Sequence, residues 1–168
     1  MRLVVSTGVL IAAVALQSTL LTEVAILGVT PQLLFVVIMC LAYVEGAKAG
    51  VVLGFTGGLF LDLLLPESIV GLTALVYTMV GYAAGSVRTW LPSRSVWRPV
   101  VTIGITSVIA ETTYALFAIT MGQRWVSASA TVKIIALVVA YNVLLTPLVL
   151  PLMTKLADRV RPERVVRF

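Results

Sequence analysis

Apolar residues fill most of this chain in long runs, broken by short polar or turn-forming stretches. Six runs reach or approach the length of a membrane span, which takes about 20 mostly apolar residues with a range of about 17 to 25. They are Leu3–Leu21, Thr30–Val44, Ala47–Leu65, Val70–Val87, Val100–Met121 and Thr131–Leu152. The second is the shortest and opens at Pro31, a residue suited to the first turn of a helix. Joining it to the third would require a very long helix through "EGAKAG", so the two are read as separate. The pattern predicts an all-α, polytopic membrane bundle of six transmembrane helices.

Composition sharpens this reading. The chain has 168 residues, 60% apolar and only 11% charged, with a mean hydropathy of +1.10. A soluble domain is nearer half apolar and a quarter charged. One integral membrane domain over residues 1–168 is expected, with residues 155–168 forming a basic tail.

Charge then orients the spans. With six spans and the N-terminus inside, one side holds Arg2, Lys48, Arg88, Arg94, Arg98, Lys155, Arg159, Arg161, Arg164 and Arg167. The other holds only Arg124 and Lys133. An excess of Lys and Arg marks the cytoplasmic side, so both termini are expected in the cytoplasm. The net charge of +5 therefore points to the membrane surface and not to nucleic acid. Ala13-Val14-Ala15 loosely imitates a signal-peptidase site, but five further apolar segments favour an uncleaved first span. Trp90, Trp97 and Trp125 suit interfacial anchoring. In the tail, Lys155, Arg159, Arg161, Arg164 and Arg167 suit an anionic lipid surface or a cytoplasmic partner, and Pro162 stops any helix from running through.

One stretch departs from simple hydrophobicity. Gly46, Gly50, Gly54, Gly58 and Asp62 follow one another at intervals of four. Residues four apart in an α-helix lie about 40° from eclipsing, so these five form one slowly winding stripe of bare backbone. In lipid, small residues at this spacing let a second helix come close. Two uses want the same residues: packing of the third span inside its own bundle, or a groove for a partner's transmembrane helix. On the second use, Gly54→Leu abolishes association and leaves the protein inserted. Gly81 and Gly85 form a shorter row in the fourth span.

Asp62 closes the stripe, and a carboxylate at that depth requires a partner. Lys133, Arg124 and the free backbone amides at the start of the fourth span are candidates. The amides fit the local sequence, in which Pro66 ends a helix, Ser68 can cap and Gly71 opens the next span. A bond of this kind would staple the third span to the fourth. Glu111 and Asn142 lie near the middle of the fifth and sixth spans and are expected to make interhelical hydrogen bonds, on grounds of depth with each other. Pro147 and Pro151 are expected to bend or end the sixth span.

Catalytic groupings are missing from the pattern. The chain has no histidine and one cysteine, so no intrachain disulfide forms, and Cys40 reads as a small buried hydrophobe. No second aspartate motif, phosphate-binding loop or metal-ligand spacing is present. Neither enzymatic activity nor a cofactor or metal is expected.

The segment "GVTPQLLFVVIMCLAYVEGAKAGVVLGFTGGLFLDLLLPESIVGLTALVYTMVGYAAG", residues 28–85, resembles the core of the MreD family of rod shape-determining membrane proteins. The resemblance rests on Pro31, Gly54-Phe55, Gly57-Gly58-Leu59, Asp62, Gly71-Leu72, Ala74-Leu75 and Gly81-Tyr82. Length, topology and the basic tail agree with the family; the last two spans do so in general character. The resemblance implies a non-catalytic scaffold of the cell-elongation complex in the bacterial cytoplasmic membrane. Its implied partners are the bitopic protein MreC and, through it, RodA and a class-B penicillin-binding transpeptidase that build side-wall peptidoglycan, with the actin-like MreB in many rods. Gly46, Gly50, Gly54 and Gly58 would then receive the MreC helix. The family is also similar in fold to the vitamin-binding S components of energy-coupling factor transporters. The alternative function is therefore a small-molecule-binding transporter subunit, for which Glu23, Asp62, Glu67, Glu111 and Lys133 are the polar candidates.

Overall fold

The computed structural model describes residues 2–19, 29–64, 69–90, 97–121 and 128–160. These form six helices: α1 (Arg2–Thr19), α2 (Leu33–Glu45), α3 (Ala47–Leu64), α4 (Leu72–Trp90), α5 (Trp97–Thr120) and α6 (Ala128–Val160). Each falls on one of the six apolar runs. By length and composition α3, α5 and α6 can cross a membrane; the apolar stretches of α1, α2 and α4 are shorter.

The organising element is α2. Its residues Leu34 to Ala42 are all buried, none more than 4% exposed, and it packs against each of the other five helices. A helix that is apolar on every side belongs in an interior, and this one has only 13 residues. It does not begin at Pro31 as expected. Pro31 is buried in the non-helical lead-in, and the helix starts two residues later. Gln32 occupies the N-cap position without capping through its side chain. Instead Gln17 of α1 accepts a hydrogen bond from the Leu34 amide through Oε1, at 3.0 Å. A neighbouring helix thus satisfies one of the donors that a helix start leaves open.

Gly46 separates α2 from α3, with φ of 100°. Side-chain-bearing residues rarely adopt that conformation, and a Cβ at Gly46 would meet nothing within 4 Å. Conformation, not space, is therefore what requires glycine here. The break keeps the second and third apolar runs apart, as the sequence predicts. At the far end of the chain, α6 continues through Pro147 and Pro151 for 33 residues, so the prolines do not end it. At about 1.5 Å per residue it exceeds the roughly 30 Å hydrocarbon thickness of a bilayer. Its last turns present exposed Lys155 and Arg159.

Candidate functional site

Helices α3 and α4 share the most extensive interface of the bundle. Gly50, Gly54 and Gly58 all face α4 at backbone distance. A Cβ on Gly50 would collide with the Gly81 carbonyl, one on Gly54 with the Tyr77 carbonyl, and one on Gly58 would lie 2.5 Å from the Ala74 Cα. The short row in α4 answers the ladder: a Cβ on Gly81 would lie 2.5 Å from the Gly50 carbonyl oxygen, and one on Gly85 2.5 Å from the Ala47 nitrogen. Of the two uses open to the ladder, packing inside the bundle is the one seen here: the chain's own fourth helix fills the groove. Gly46 departs from the expected ladder, since it forms the α2–α3 break and is not a rung of α3. Apolar side chains gain little by leaving lipid for protein, so close van der Waals packing of this kind holds membrane helices together.

Asp62 stands one turn beyond Gly58 and is 2% exposed. Its Oδ2 accepts hydrogen bonds from the Gly71 amide at 2.9 Å and the Ala74 amide at 3.2 Å. Asp62 therefore caps α4 from the preceding helix, where the positive end of the helix dipole favours a carboxylate. Of the partners considered for Asp62, the structure shows these amides, while Lys133 is exposed. Gly71 takes a φ of 94°, which turns its N–H toward the carboxylate in a conformation costly for other residues. Pro66, Ser68, Arg124, Arg161, Arg164 and Arg167, with Glu23 and Glu67, lie outside the described residues.

Glu111 and Asn142 do not meet. Gln32 donates from Nε2 to Glu111 Oε1 at 2.8 Å, tying the lead-in of α2 to α5. Asn142 donates from Nδ2 to Ser107 Oγ at 2.6 Å, with both residues fully buried. Ser107 lies one turn before Glu111, so the two polar links sit one above the other at α5 and engage different helices. Among the described residues, three buried polar atoms have no partner: Gln32 Oε1, Tyr141 OH and Asn142 Oδ1.

Beside the Gln32–Glu111 link lies a cavity of about 400 Å³. It opens among the ends of α1, α3 and α5 and the beginnings of α2, α4 and α6, which places it at one end of the bundle. Thr30, Gln32, Thr73, Tyr77, Glu111 and Tyr114 are its principal polar lining. Tyr77 also packs edge-on against Phe35, with ring centroids 5.1 Å apart. Gln17, Gln32, Tyr77 and Tyr114 escaped the sequence reading. Their signal was the presence of amide and phenol groups within apolar runs, weaker than that of a charge. Among the described residues no group of three or more His, Cys, Asp or Glu gathers to hold a metal ion.

Against known proteins, a family model described as rod shape-determining protein MreD matches residues 1–158. The match extends far beyond the segment 28–85 that carries the resemblance in the sequence. No curated protein and no solved structure matches the chain.

Proposed function

The chain belongs to the rod shape-determining MreD family, and on that premise we propose that it is a non-catalytic scaffold of the bacterial cell-elongation complex. The single observation behind this reading is a family match over 158 of the 168 residues. Membership carries a role in rod-shape determination at the membrane. The finer reading is ours. All six helices span the cytoplasmic membrane with both termini inside, and the basic residues from Lys155 onward lie along the anionic inner leaflet. The bundle binds an MreC-type bitopic protein and, through it, supports the RodA and penicillin-binding transpeptidase pair in side-wall synthesis, with MreB on the cytoplasmic side.

The glycine ladder serves this scaffold indirectly. With Gly50, Gly54 and Gly58 packed on α4, they hold the shape that a partner recognises, and the MreC-type helix meets a different face. Coexpression of the chain with the MreC-type protein of the same genome, followed by capture through a tag on either one in mild detergent, tests the proposal. A stoichiometric complex is the expected result. Clean membrane insertion with no complex would refute it.

A further inference from the structure

The cavity beside Gln32 and Glu111 is not explained by packing. Small-molecule sites in proteins are typically concave, mostly apolar and about 300 to 1,000 Å³, with a few polar groups that fix orientation. This cavity of about 400 Å³ falls in that range, and its polar groups are unevenly matched. Gln32 donates from Nε2 to Glu111, and its carbonyl oxygen has no partner. Glu111 lines the cavity with one carboxyl oxygen engaged by Gln32. Two phenols, Tyr77 and Tyr114, share the lining with it, and among the described residues no Lys or Arg does. Among the described residues the lining therefore combines acceptors with aromatic faces, and its one acidic group, Glu111, has no Lys or Arg beside it in the cavity. A buried carboxylate in a membrane protein usually has a partner, and aromatic rings attract cations.

We propose that this cavity is a binding site for a primary ammonium group, which pairs with Glu111 and lies against the rings of Tyr77 and Tyr114. Two sources share this chemistry: a free small amine and the headgroup of an aminophospholipid. The inference does not depend on the scaffold reading, because the lining belongs entirely to this chain.

The experiment uses the purified full-length chain alone. In one arm, thermal unfolding in detergent is followed with rising ethanolamine, against ethylene glycol and against sodium chloride at equal ionic strength. In the other, native mass spectrometry compares retention of phosphatidylethanolamine with that of phosphatidylglycerol. Selective stabilisation by ethanolamine, with a rise in midpoint of roughly 3 °C or more near saturation, establishes a free-amine site. Selective retention of phosphatidylethanolamine without that rise establishes a headgroup site. In either case Glu111→Gln, which keeps the shape of the side chain, lowers affinity at least tenfold. Tyr114→Phe lowers it less, and Glu45→Gln, distant from the cavity, leaves it unchanged. The selectivity of the wild-type chain decides the matter even if the Glu111 variant fails to fold. No preference for amine over alcohol and none between the lipids would overturn the proposal, as would equal binding by wild type and a folded Glu111→Gln variant.

Discussion

The α3–α4 pair and the Gln32–Glu111 cavity lie side by side, and each contains one acidic side chain, yet they are built on opposite terms. In the first, glycines bring two backbones into contact and Asp62 is bonded to the amides that begin α4. In the second, larger side chains leave about 400 Å³ open, and the Gln32 carbonyl oxygen remains without a partner. The difference separates two uses of a buried carboxyl group. A carboxylate that completes a helix start is consumed by structure. On the amine proposal, one bonded to a neutral amide at the edge of a cavity is left for a ligand.

Substitutions in the first region break the comparison most severely. Gly54→Ala places a Cβ against the Tyr77 carbonyl, where no side chain can swing aside, and Gly54→Leu is worse. Overpacking typically costs about 1 to 3 kcal/mol and occasionally more, and a backbone clash belongs at the upper end. Both variants should yield little monodisperse protein by size-exclusion chromatography. Gly57→Ala is the matched control. Its Cβ would meet the flexible end of Ile38, so a shift of a few degrees in thermal midpoint is expected. Equal effects at positions 54 and 57 would contradict the packing assigned to α4.

Next in size is Asp62→Ala, which leaves the Gly71 and Ala74 amides without their acceptor. Hydrogen bonds to a charged group contribute about 1.5 to 3 kcal/mol each to stability. Hydrogen exchange should show faster opening at the first turn of α4, while α2 keeps its protection. Smaller still is Ser107→Ala, which removes the acceptor for Asn142. Interhelical hydrogen bonds in membrane proteins average about 0.6 kcal/mol, so a modest fall in resistance to unfolding by denaturing detergent is expected. Glu111→Gln should change stability least of these substitutions while still lowering amine affinity at least tenfold, and that contrast distinguishes a ligand site from a structural latch.

The six helices and the Gly46 break were legible because apolar runs and turn residues are local signals. Asp62 was legible for the same reason: its partners lie nine and twelve residues along the chain, across a turn that the sequence displays. Glu111 was not. Depth along a helix can be read by counting, but rotation about its axis cannot, and the Gln32–Glu111 link spans 79 positions. Asn142 found Ser107 for the same reason, one turn away from the acid expected. The ladder was visible and its destination was not, since packing inside the chain and packing on a partner require the same small residues. The close approach of Gly50, Gly54 and Gly58 to α4 distinguishes them.

The most direct test of the ladder's role measures partner capture per folded molecule. Wild type and Gly54→Ala would be coexpressed with the MreC-type protein, the folded fraction quantified by fluorescence-detected size exclusion, and the captured partner normalised to it. An internal ladder predicts a sharp fall in the folded fraction and an unchanged amount of partner bound by the molecules that do fold. A variant that folds as well as wild type but captures no partner would contradict it and return the glycines to the partner's interface.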